Sequence, residues 1–139
     1  MASIDKFEDL VAWQKARQLS KSVYLLTRSE RFARDFALVD QMRRAAISVC
    51  SNLAEGFERT SRPDVVHFIT LAKSSCAEIR AQLYLALDIG HLDQPSFDAL
   101  AKQADEVARI IGGLRASLLR LPPSVRPALP RRTRNPTVD

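Results

Sequence analysis

Two stretches of this chain place apolar residues at alternating spacings of four and three, a pattern that leaves little choice of fold. The first series is Val65, Ile69, Ala72, Cys76, Ile79, Leu83 and Ala86; the second is Phe97, Leu100, Ala104, Val107, Ile111, Leu114 and Leu118. An α-helix turns once in 3.6 residues, so each series lies on one stripe of one helix. Sustained over many turns, this spacing is the seam of helices packed nearly antiparallel at shallow angles. Two earlier segments share the period: about Glu8–Thr27, with Ala12, Ala16, Leu19, Val23 and Leu26 on one face, and about Asp35–Phe57. No segment carries the period-2 alternation of a strand.

The punctuation between these segments agrees with the periodicity. Gly56 lies near the end of the second helix, and Ser61 is placed to N-cap the third, with Pro63 in its first turn and Asp64 completing a box-like S-x-x-D. Gly90 suits the left-handed residue that closes a helix, and Asp93 or Ser96 can cap the fourth, with Pro95 tolerated at its start. Short connections make neighbours antiparallel. The fold class expected is therefore all-α: an antiparallel up-down-up-down four-helix bundle over residues 1–120, its third helix the longest at roughly 27 residues and about 40 Å. From Leu121 the text changes, and LPPSVRPALPRRTRNPTVD holds five of the seven prolines. Residues 121–139 cannot continue a helix and are expected to form an extended or disordered basic tail.

A chain of 139 residues is one domain with a single core. No apolar run reaches the roughly 18 residues of a membrane span, and the N-terminus lacks a basic segment followed by an apolar one, so a cytoplasmic protein is expected. Cys50 and Cys76 form no CxxC pair, and their offset along the helical hairpin, about 10 Å by helical rise, is too long for a disulfide. Both read as packing residues. The net charge of +5 is uneven: residues 1–120 are nearly balanced, and Arg126, Arg131, Arg132 and Arg134 make the tail basic. Such a tail serves nucleic acid, an acidic partner or solubility.

The second and third helices carry an anomaly. On a helical wheel, Gln41, Arg44, Ser48, Ser51, Asn52 and Glu55 share an arc of about 100°, while apolar residues from Val39 to Phe57 spread over roughly 200°, with Arg43 among them. An outer bundle helix needs a narrower stripe, so part of this surface is expected to be covered from outside the bundle, in an oligomer. Beside the seam of the third helix runs a second row, Phe68, Leu71, Ser75, Glu78, Gln82, Leu85 and Ile89, apolar at its ends and polar in its middle. A hairpin turning near Thr60 puts residues whose numbers sum to about 119 at one level, given equal helical rise on both arms. Arg43 or Arg44 is then the cation expected to meet Glu78, with Asn52, Glu55, Ser75 and Gln82 completing a polar belt that fixes register between helices or subunits. The competing reading is that both rows are ordinary solvated faces.

Catalytic and metal chemistry find no support. A di-metal site in a bundle needs Glu-x-x-His pairs facing the core, whereas the only histidines are His67 and His91, with Asp64-x-x-His67 a single pair at a helix start. There is no glycine-rich phosphate loop, and Gly112-Gly113 inside the fourth helix reads as a close-packing point. No catalytic residue, cofactor or metal is expected. On the first helix, Lys6, Gln14, Arg17, Lys21 and Arg28 fall within an arc of about 80° opposite the seam, flanked by Trp13 and Tyr24. Cations at this spacing can follow a phosphate backbone and aromatic rings can stack on unpaired bases, which makes Lys6, Trp13, Arg17, Lys21 and Arg28, with Arg131, Arg132 and Arg134 of the tail, the candidate nucleic-acid face. The alternative is a plain solvated face with Trp13 and Tyr24 packed on a neighbour.

Taken together, FEDLVAWQKA, QMRRAAISVCSNLAEGFERTS, AKSSCAEIRAQL at 72–83 and DIGHL at 88–92 resemble the four-helix bundle protein family first noticed as reading frames in intervening sequences of bacterial 23S ribosomal RNA genes. The resemblance covers about residues 4–120. The family more often has Pro where Cys50 stands and Glu in place of Asp64, and the tail lies outside it. It implies a bundle that assembles into a ring-like homopentamer. Some relatives are accessory proteins of diversity-generating retroelements, which implies reverse transcriptase and nucleic acid, RNA or DNA, as partners. The reading that follows is a non-enzymatic homo-oligomeric scaffold binding nucleic acid through basic surfaces; its rival is a protein–protein adaptor with no nucleic-acid role.

Overall fold

In the computed structural model, which describes residues 5–121, a single 3₁₀ turn at Phe7–Asp9 precedes five helices: α1 Val11–Leu26, α2 Glu30–Ala33, α3 Phe36–Glu58, α4 Arg62–Ile89 and α5 Gln94–Arg120. The four long helices pack in a closed square, α1 on α3, α3 on α4, α4 on α5 and α5 back on α1. Their seams meet in one core. Leu19, Val23, Met42, Val49, Leu53, Ile69, Ile79, Leu83 and Ile111 are fully buried there, and both 3–4 series face inward, with Leu114 partly covered. Fully burying a side chain of this size contributes roughly 1.5–3 kcal/mol.

Local chemistry sets the helix ends. The Asp35 carboxylate accepts from the Leu38 N–H at 3.2 Å and starts α3. Ser61 Oγ accepts from Asp64 N–H at 3.3 Å to start α4, which closes at Gly90 with φ +88° and a His91 N–H to Ala86 carbonyl bond of 2.9 Å. Only a residue without Cβ adopts that φ cheaply. Of the two candidate caps for α5, Asp93 serves, accepting from Ser96 N–H at 2.8 Å. Each cap of this kind is worth about 1 kcal/mol.

Four features depart from the sequence expectations. The segment between the first two helices holds a further turn of helix, α2, whose Phe32 is fully buried and stacks on His91 at 4.8 Å. The close-packing glycine is Gly56: a Cβ there would sit 3.2 Å from Phe68 Cβ, whereas one at Gly112 or Gly113 would meet nothing within 4 Å. The wide apolar arc of α3 is mostly absorbed within the chain, because α1 covers one flank and α4 the other; of that arc only Ile47 stays exposed. Finally, Leu10 is extended (φ −74°, ψ 121°) between the 3₁₀ turn and α1, so the helical phase stops short of Lys6 and does not place it on the α1 stripe.

The thiols behave as packing groups. Cys76 is buried and its pKa is pushed up to about 12 by that burial. Cys50 is half-buried, and burial likewise raises its pKa against the opposing contact with Ser20 Oγ at 3.4 Å. Among the described residues no helix is long and apolar enough to cross a membrane, and no group of three or more His, Cys, Asp or Glu side chains could hold a metal ion.

Candidate binding surfaces on either side of α3

The α3–α4 face is where the two polar rows meet. Ser75 Oγ donates to Ser48 Oγ at 2.8 Å, and Asn52 Nδ2 donates to the Ser48 carbonyl at 2.8 Å and to Ser48 Oγ at 2.9 Å. Ser48 opposite Ser75 puts residues whose numbers sum to about 123 at one level, one helical turn from the expected register. The cause is Gly56. Its missing side chain lets Phe68 and Ile69 seat against α3, so this approach sets the register and the midpoint of the turn does not.

The expected Arg–Glu78 pair does not form within the chain. Arg44 pairs along its own helix, Nε to Asp40 Oδ2 at 2.9 Å, and both side chains are largely exposed. Arg43 turns to α1 instead. Glu55 pairs with Arg59 at 3.2 Å, Glu78 is exposed without an ion pair among the described residues, and Gln82 Oε1 is buried without a hydrogen-bond partner among them. The polar centre is thus a short serine–asparagine cluster and not a closed ionic belt. Around it lie apolar side chains that the bundle leaves open: Leu71, Leu85 at 53% exposure, Ile89 at 55%, and Phe36 at 80% on the first residue of α3.

The α1–α3 face is cationic. Arg17 and Lys21 project from α1 and Arg28 from the turn beyond it, all exposed. Ser20 Oγ donates to the Ala46 carbonyl at 2.9 Å and ties α1 to α3 below them. Arg43 joins this face from α3: its Nε donates to Thr27 Oγ1 at 3.0 Å, and its guanidinium lies 4.5 Å from the centre of the Tyr24 ring. None of these four cations has an ion-pair partner among the described residues. The aromatic rings, by contrast, are engaged. Trp13 has Phe7 at its edge at 5.0 Å and the Arg17 guanidinium 5.7 Å from its centre. Arg131, Arg132 and Arg134 lie outside the described residues.

The sequence assigned Arg43 to the other face. The available signal was its position inside the apolar arc of α3: a cation there is aimed at a neighbouring helix, and which neighbour depends on how α1 packs.

Four long helices closed around one core, with polar and cationic outer faces, define the class: an all-α helical bundle. Within that class, residues 8–113 match the 23S rRNA-intervening sequence protein family, and the chain belongs to it. A solved structure with the same fold is described as a protein with unknown function from the S23 ribosomal protein family of Bacteroides thetaiotaomicron VPI-5482; it is similar at a TM-score of 0.71 and 17% identity, over 76% of this chain and 96% of that one. No curated protein matches the chain.

Proposed function

We propose that this chain is a non-enzymatic scaffold that self-associates through the α3–α4 face and binds nucleic acid through the α1–α3 face. The observation that carries the reading is the gathering of Arg17, Lys21, Arg28 and Arg43 on one face without ion-pair partners among the described residues. Cations left without carboxylates along a helical hairpin follow a polyanion, and each phosphate neutralised releases counterions. The open apolar side chains of the α3–α4 face supply the self-association, and the ring-like homopentamer implied by the family resemblance repeats the cationic face. Repetition raises the avidity of a weak site without any new contact.

The test is binding of single-stranded DNA and RNA across a salt series, with sedimentation of the free protein. Affinity falling steeply with salt and a single species about five times the 15.6 kDa chain mass support the reading. Replacing Arg17, Lys21 and Arg28 together with Gln weakens binding and flattens its salt dependence while the fold survives, because these residues face away from the core. The exposed Phe36, Leu85 and Ile89 favour a second reading, an adaptor that recruits another protein. Absence of nucleic-acid binding at low salt selects it.

A further inference from the structure

We infer that Arg43 is a pre-organised phosphate site, the fixed point of the α1–α3 face through which a nucleic-acid backbone is held. The inference rests on the proposed nucleic-acid reading and adds the group and the mode of contact. Arg43 is half-buried, and two residues hold it, Tyr24 of α1 and Thr27 just past its end. Thr27 is fully buried and donates its own hydroxyl proton to the Val23 carbonyl at 2.8 Å, which aims the oxygen lone pairs at Arg43 Nε, 3.0 Å away. The Tyr24 ring lies under the guanidinium at 4.5 Å, within the range of a cation–π contact. The side chain thus spends its Nε and one planar face on the protein, while its two terminal amino groups have no hydrogen-bond partner among the described residues.

Arg62 and Arg115 are likewise anchored on uncharged oxygens, but among the described residues Arg43 alone adds an aromatic ring beneath a guanidinium held by a hydroxyl. Four exposed arginines, Arg34, Arg44, Arg59 and Arg109, instead bond carboxylates four residues away. Arg43 is oriented without a carboxylate, so its charge is not neutralised and its outer edge presents parallel N–H donors. Such an edge matches two oxygens of one phosphate, and little conformational freedom remains to be lost on binding. Arg28, one residue past Thr27, and Lys21 add positive charge on the same face. Because guanidinium groups already lie over Trp13 and Tyr24, the face reads phosphate and not stacked bases. Binding with little preference among sequences follows.

The experiment measures a fluorescent single-stranded oligonucleotide by anisotropy across a salt series with the full chain, its Arg43→Lys and Thr27→Val variants, and the wild type competed by polyglutamate. Arg43→Lys keeps the charge and loses the paired donors; affinity drops roughly tenfold, the worth of one charge-assisted hydrogen bond, with the salt slope nearly kept. Thr27→Val keeps Arg43 and removes the acceptor that positions it, so affinity falls in the same direction while the slope stays. Far-UV melting of each variant shows that the fold is intact, and Thr27→Val carries the test if Arg43→Lys does not fold. Wild-type affinity in both variants overturns the inference while leaving the nucleic-acid reading in place. Displacement by polyglutamate at equal charge also overturns it, in favour of an acidic protein partner. Failure of the wild type to bind at low salt removes the nucleic-acid reading itself.

Discussion

Replacing Gly112 and Gly113 together with alanine should stabilise the bundle. Both lie inside α5, and a Cβ built on either meets no atom within 4 Å. Each glycine costs a helix interior about 0.8–1.0 kcal/mol relative to alanine, mainly through the freedom that the unfolded chain gives up. With no packing term to offset the gain, the pair contributes about 1.6–2 kcal/mol. Unfolding entropy near 2.1 cal/mol/K per residue, over somewhat more than a hundred ordered residues, converts this to a rise of roughly 6–8 °C in Tm. Gly56→Ala makes the control, because its Cβ would sit 3.2 Å from Phe68 Cβ and 3.5 Å from Ile69 Cδ1. There a propensity gain of about 1 kcal/mol meets an overpacking cost of about 1–3 kcal/mol, so stability falls or stays level. Thermal and urea melts monitored by circular dichroism, at two protein concentrations, measure both. A rise below about 2 °C for the double alanine variant, or a fall, refutes the reasoning. A fall would show that another backbone packs on those glycines.

Three further outcomes follow from the same geometry. Phe32→Ala removes a fully buried ring that stacks on His91, and urea unfolding should show a loss of about 3–5 kcal/mol. His91 Nε2 lies 2.9 Å from Asp35 Oδ2, and this hydrogen bond, ahead of the cap to Leu38, holds the Asp35 carboxyl below its ordinary 3.8. A depressed carboxyl stabilises the fold fully above that value and loses its contribution as pH falls below it, so His91→Gln should make acid unfolding less dependent on pH in that window. Thiol labelling of the native protein at mildly alkaline pH should modify Cys50 slowly and Cys76 only on unfolding, since burial raises both pKa values and Cys76 the further; rapid labelling of Cys76 would contradict its buried position.

How much of this was legible in the sequence differs by length scale. The four long helices, the cap at Ser61 and the left-handed Gly90 all rest on interactions within a turn or two of chain, and those the residue order carries directly. Helix α2 did not announce itself because four residues are too few to show a period, although Phe32 in SERFARDF was an apolar residue lacking a stated partner. The stripe of Arg17, Lys21 and Arg28 was readable for the same local reason, whereas Lys6 was lost once the extended Leu10 broke the helical phase.

Residue order alone is therefore enough for the set of helices and the apolar face of each, because hydrophobic periodicity and backbone capping act between near neighbours. Which rows meet is a matter of packing between helices. The register of α3 against α4 follows from the close approach at Gly56, which no helical wheel contains, and it leaves Ser48 on Ser75 and Glu78 without the expected arginine. The direction of Arg43 likewise depends on α1 and its C-cap, since Thr27 and Tyr24 lie 16 and 19 positions earlier in the chain. A guanidinium takes the nearest acceptor and ring that packing offers, and packing distances between helices are fixed only when all four close around one core.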